Sequence, residues 1–237
     1  MVDKPDKLPI KSTSAEVDAF LAKVAGMPVV KSAGVRGRLI FAMDATASRE
    51  PSWDVACNIQ AEMFKDTATL GGLDIQLCYY RGFNEFFTSA WLSSSAGLLE
   101  QMTGVHCAGG MTQVRRVFEH AVRESRRAGV NALVFVGDCM EEDVDQVCAI
   151  GGQLGILGIP AFLFHEGFDP VAKRTFSELA RLTKGAYCRF DASSASQLRD
   201  LLGAVAVYAA GGRKALEHLG DRKGGLVRQL TDQMTKE

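Results

Sequence analysis

Nothing in this sequence is apolar for long enough to cross a bilayer. The longest such run, Leu201 to Ala210, is interrupted by Gly203 and falls well short of the ~20 residues a spanning helix needs. The opening residues, MVDKPDKLPIK, are charged and hold no apolar block, so no secretory leader is expected. Charge of one sign is also scarce. Lys and Arg total 27 against 28 Asp and Glu, a net charge of −1, which gives no electrostatic case for nucleic acid or an anionic membrane. The six cysteines, at 57, 78, 107, 139, 148 and 188, include no CxxC pair, so neither a zinc site nor a disulfide framework is expected. His106, His120, His165 and His218 lie singly, without the spacing of a metal or catalytic pair. Neither G-x-S-x-G nor G-x-x-x-x-G-K-[ST] occurs, which removes two common catalytic fingerprints. The cytoplasm is the expected compartment.

What is present suits one globular domain. The chain has 237 residues, 47% hydrophobic and 23% charged, enough for a single good-sized core. Residues 1–35 read as an N-terminal arm with a short amphipathic helix over about 14–25. A Thr13–Glu16 capping box opens that helix, and Val17, Phe20, Leu21 and Val24 form its stripe. From residue 36 to 210, strands and helices alternate. Strands are expected at 38–44, 73–80, 83–89, 131–138, 159–164 and 186–190. Helices are expected from Pro51 to about Leu70, at 95–102, after Thr112 with Val114, Val117, Phe118, Ala121 and Val122 facing inward, and at 142–156 and 170–183, with a last one beginning near Ser196. That cadence predicts an α/β fold, a doubly wound and mostly parallel sheet flanked by helices. Residues 211–237 read as a charged tail, helical or partly disordered.

The chemistry concentrates where the first strand ends, in Leu39-Ile40-Phe41-Ala42-Met43-Asp44-Ala45-Thr46-Ala47-Ser48. A continuous apolar run marks a strand buried on both faces. Asp44, Thr46 and Ser48 then fall just past its carboxyl end, where open α/β sheets place their ligands. Two further loops are expected at the same edge. One carries Thr112 after Gly109-Gly110, and the other begins with Asp138 at the end of Val134-Phe135-Val136-Gly137. Right-handed crossovers would set the Asp44 strand beside the Asp138 strand. Two carboxylates and three hydroxyls are hard donors, suited to Mg²⁺ or Mn²⁺. Carboxylates so close together also call for a cation.

D-x-T-x-S after the first strand, Thr112 after Gly-Gly and Asp138 ending the fourth strand resemble the von Willebrand factor A (VWA) family and its metal-ion-dependent adhesion site. The resemblance runs over roughly residues 36–210. It implies a Rossmann-like sheet of about six strands, the third antiparallel at the edge. It also implies Mg²⁺ or Mn²⁺ held by Asp44, Thr46, Ser48, Thr112 and Asp138, with a partner protein's Asp, Glu or other oxygen donor completing the coordination. Two positions depart from the family pattern. Thr46 stands for the more usual Ser, which keeps the donor. Cys139 stands for the usual Gly after the last Asp, followed by Met140-Glu141-Glu142-Asp143, and is expected to alter the third loop and add negative charge.

The expected function is therefore a cytosolic, metal-dependent protein-interaction module without catalysis, binding neither nucleic acid nor membrane. Two alternatives share the motif: an accessory subunit of an ATP-driven complex such as a metal chelatase, and a haloacid-dehalogenase-like phosphohydrolase. The second is weakened because Thr46 stands where that family has its second Asp. Around the site, Arg49 reads as a solvated side chain and Trp53 as packing beneath the loop. The arginines of the helix after Thr112 read as an outer, solvated face. Asp44→Ala is expected to spare the fold, on the reading that it removes a surface charge.

Overall fold

A computed structural model describes Ala19, Ala22, Lys23 and residues 36–49, 53–54, 56–58, 72–190 and 199–211. Six strands make one sheet: β1 (Gly37–Asp44), β2 (Leu73–Arg81), β3 (Glu85–Thr88), β4 (Ala132–Gly137), β5 (Ala161–Glu166) and β6 (Ala186–Phe190). Their spatial order is β3-β2-β1-β4-β5-β6. All neighbours run parallel except β2 and β3. The helices are α1 (Ser95–Thr103), α2 (Val114–Ala128), α3 (Val144–Ile156), α4 (Pro170–Leu182) and α5, residues 199–211. This is the mostly parallel six-stranded α/β sheet expected, with the antiparallel strand third and at the edge.

Alternation along β1 builds a core on each face. Leu39, Phe41 and Met43 pack with Leu98 and Met102 of α1, with Trp53, and with α5 from Leu201 to Ala210. Ile40 and Ala42 point the other way, into Val117 and Phe118 of α2, Val147 and Leu154 of α3, and Phe176 and Leu179 of α4. Each fully buried Leu, Ile or Phe of this kind contributes about 1.5–3 kcal/mol, in keeping with the unbroken apolar stretches Leu39–Met43 of β1 and Ala132–Val136 of β4. On α2, Val114, Val117, Phe118, Ala121 and Val122 are buried, while Arg115, Arg123, Arg126 and Arg127 are exposed and Arg116 is half-buried. Among the described residues, no helix is long and apolar enough to cross a membrane.

Several boundaries move, each for a local reason. The third strand is shorter than expected because Gly82, with φ +59°, and the two residues after it make the turn. The fifth begins at Ala161 rather than Ile159. Gly158 adopts φ +74° and Pro160 lacks an N–H, although its carbonyl accepts from Leu133 N at 3.0 Å, so the paired register with β4 opens at Ala161 opposite Leu133. The third helix starts at Val144, not 142, because Asp143 caps it by accepting from Gln146 N at 3.1 Å. Residues 53–54 and 56–58 are helical, as are Ala19, Ala22 and Lys23. The remainder of those two expected helices, the Thr13–Glu16 box and the tail from 213 onward lie outside the described residues.

Candidate metal centre

The β1–β4 pairing brings the carboxyl ends of both strands together, with Met43 opposite Val136. Asp44 closes β1 and Asp138 follows β4, so two carboxylates meet at one edge of the sheet. Their setting grades from dry to wet. Asp44 is fully buried, Thr46 nearly so, Asp138 is half-buried and Ser48 is exposed.

Asp44 Oδ1 accepts from Thr46 N at 2.7 Å, an Asx-type turn that folds the loop back over the strand end. Its Oδ2 accepts from the Tyr80 hydroxyl at 2.9 Å. Tyr80 is buried beside Asp44 in the β1–β2 register and stacks on Phe135. Burial raises the Asp44 pKa, as does the Asp138 charge, while hydrogen bonds from Thr46 and Tyr80 oppose them. Asp44 is thus no surface charge. An alanine there strips a hydrogen-bonded group from the interior and leaves the Tyr80 hydroxyl unpaired, so the expectation of a harmless substitution is corrected.

Loop one and loop three are joined by the Ser48 hydroxyl, which donates to Asp138 Oδ2 at 2.6 Å. Thr46 Oγ1 and Ser48 Oγ stand 3.4 Å apart. The other carboxylate oxygen, Asp138 Oδ1, is buried with no hydrogen-bond partner among the described residues. An anionic oxygen left this way costs several kcal/mol unless a cation or donor meets it.

Loop two meets both other loops: Ala108 N donates to Ala45 O in loop one at 3.0 Å, while Thr112 itself lies against loop three. Thr112 N donates to Glu141 Oε2 and Thr112 Oγ1 accepts from Glu141 N, both at 3.0 Å. Accepting that one bond leaves the hydroxyl a second lone pair. No hydrogen bond joins Thr112 to Asp44, Thr46, Ser48 or Asp138 among the described residues. The acidic run after Cys139 thus acts on the helix: Glu142 accepts from Val114 N and Arg115 N, the open end of α2, whose own N-cap Gln113 makes no side-chain capping bond. A cap supplied across the fold leaves no local sequence signal.

Arg49 departs from expectation. It is wholly buried and paired through Nη1 with Glu166 Oε2 at the end of β5, not solvated. Its Nε and Nη2 have no hydrogen-bond partner among the described residues. Burial lowers its pKa, and the Asp138 and Asp44 charges oppose that. The 3₁₀ turn Ala47–Arg49 carries the side chain inward, where a long-range carboxylate receives it. His165 is a second residue with no local signal. Its Nε2 meets the Asp138 carbonyl at 3.2 Å and its Nδ1 the Tyr187 hydroxyl at 2.9 Å. Because a carbonyl only accepts, Nε2 carries the proton, and the ring holds the loop-three backbone. Trp53 packs as expected, buried, with Nε1 donating to Met102 O at 3.0 Å.

The donor set suits a divalent cation: hard oxygens only, one of them orphaned, and a mouth open to solvent at Ser48. No protein-family profile matches the sequence, and no curated protein matches it closely. Solved structures do match. The VWA domain of SpRpn10 is 14% identical, with a TM-score of 0.54 over 71% of this chain and 94% of that one. This chain has the von Willebrand factor A fold. An aerotolerance-related membrane protein from Bacteroides fragilis matches at 16% identity and a TM-score of 0.51, covering 68% of this chain and 95% of that one. Proximal thread matrix protein 1 from the mussel byssus, solved with zinc in its MIDAS motif, matches at 12% identity and 0.55, over 75% of this chain and 47% of its own. At such identities the likeness speaks for the VWA fold alone, and the site is argued from this chain's own residues.

Proposed function

We propose that this VWA domain is a cytosolic, divalent-metal-dependent protein-interaction module without catalysis of its own. Asp44, Thr46, Ser48, Thr112 and Asp138 would hold the ion, Mg²⁺ or Mn²⁺. The carrying observation is Asp138 Oδ1, a buried carboxylate oxygen without a partner beside the Ser48 hydroxyl and across the sheet edge from Asp44. Bound there, the ion supplies an electrophilic position for a partner's Asp, Glu or other oxygen donor.

This chain's residues fix the arrangement around that position. Tyr80 and Thr46 N orient the Asp44 carboxylate, Ser48 sets Asp138, and His165 holds the loop-three backbone. Thr112 has a lone pair to give without releasing Glu141.

The test is a metal titration followed by an affinity capture. Mg²⁺ or Mn²⁺ is expected to raise the melting temperature of the wild-type protein, and Asp138→Ala to erase the rise. Partners captured in Mg²⁺ should be released by EDTA and rebound when Mg²⁺ is restored. Capture that ignores the chelator would overturn the reading.

A further inference from the structure

The chain places one more charged group in this centre that the function above does not use. Arg49 follows Ser48 directly, is wholly buried, and is paired with Glu166. Ser48 in turn holds Asp138 Oδ2 at 2.6 Å. Two guanidinium nitrogens, Nε and Nη2, and Asp138 Oδ1 are all buried without hydrogen-bond partners among the described residues. The acidic groups acting on the guanidinium are Glu166, through the ion pair, and Asp138, Asp44, Tyr80 and Cys107. A guanidinium is charged in any protein environment at neutral pH. It therefore stands as a fixed positive charge beside the position proposed for the metal.

We propose that Arg49 is a resident counter-ion of this centre. Its charge offsets Asp44 and Asp138 when no metal is bound, keeping loop one folded, and weakens the hold on a divalent ion when one is. Glu166 sets the strength of that effect by neutralising part of Arg49. The inference rests on the metal reading given above, and its test separates the two.

The experiment is a Mg²⁺ titration of the full chain, read both by calorimetry and as melting temperature against Mg²⁺ concentration, for wild type, Arg49→Gln, Arg49→Lys and Glu166→Gln. Arg49→Gln should bind Mg²⁺ ~10-fold more tightly and Glu166→Gln ~10-fold more weakly, as one charge added or removed near a dication requires. Arg49→Lys should stay near wild type in affinity. Arg49→Gln should also melt lower than wild type without metal, the gap narrowing as Mg²⁺ saturates. A purely structural arginine would instead lose the same stability with and without metal and leave affinity unchanged. That outcome overturns the proposal. Should Arg49→Gln not fold, Glu166→Gln decides it alone, because weaker Mg²⁺ binding supports the proposal and unchanged binding sinks it. Equal binding by all four proteins removes only the role of Arg49, whereas binding by none removes the metal reading with it.

Discussion

Tyr80 and Asp44 stand side by side on adjacent parallel strands, and the phenol donates to Asp44 Oδ2 at 2.9 Å inside the protein. The carboxylate that heads the D-x-T-x-S motif is therefore braced from the sheet as well as from its own loop. Tyr80→Phe removes that donor and keeps the ring that stacks on Phe135. It should cost about 1 kcal/mol, or roughly 2–4 °C in melting temperature for a domain of this size. Asp44→Ala should cost more than Tyr80→Phe. In the double mutant the two costs should not add, since both break one bond. Thermal denaturation of the three variants checks this.

The parts of this protein written in one stretch of chain were readable as sequence. Apolar runs ending in Asp44 and Asp138 gave the central strands, and the Gly-Gly before Thr112 marked the loop entering α2. Arg49 was not readable. Set between Ser48 and Glu50 in a polar stretch it looks solvated, and what draws it inward is Glu166, far along the chain on β5. Tyr80 follows the uncharged stretch Leu77-Cys78-Tyr79, so nothing local says that its hydroxyl meets a carboxylate. Glu142 at the start of α2 and His165 behind Asp138 are likewise contacts between distant loops. Short-range periodicity finds elements; the electrostatics of this centre are set by pairs that only the folded sheet brings together.

Gly110 is fixed by a close approach. A Cβ there would overlap the carbonyl of Gly82 in the β2–β3 turn, and Met111 N donates to that same oxygen at 3.2 Å. Gly110→Ala must move loop two away from the hairpin and carry Thr112 with it. The expected result is a loss of Mg²⁺ affinity of ~10-fold or more with a smaller effect on melting temperature, since the displaced loop lies above the core. A titration of melting temperature against Mg²⁺ measures both. Full affinity in this variant would remove Thr112 from the set of ligands.

His120 gives a pH dependence with a definite sign. The ring is buried on α2, and its Nε2 donates to Gln76 Oε1, an acceptor only, at 2.8 Å. Burial lowers its pKa below the ordinary 6.5, so the unfolded chain takes up the proton first. Its contribution is intact above pH 6.5 and declines as the pH falls below that value. The raised pKa values of Asp44 and Glu142 work in the opposite direction at lower pH, so the comparison must be between proteins. Denaturant unfolding at pH 7.5 and 5.5 should show wild type losing more stability on acidification than His120→Gln. Equal losses would mean that the imidazole is not held neutral.

Cys139 reports on the charge around Asp138. Burial first, then the neighbouring Asp138, Asp44 and Glu141 charges, push its thiol up to about 12. Because the thiolate is the nucleophile, alkylation by iodoacetamide at pH 8 should run ~100-fold or more slower than at an ordinary exposed cysteine. A divalent ion on Asp44 and Asp138 cancels much of the negative charge that suppresses ionisation, while the burial contribution stays. Adding Mg²⁺ should therefore speed labelling of Cys139, while Cys57, pushed to about 11 by burial and Asp54, should be unaffected. Mass spectrometry of both sites in one sample makes Cys57 the internal control. An acceleration at both cysteines would point to loosening of the fold, and one at Cys139 alone to an ion in the centre.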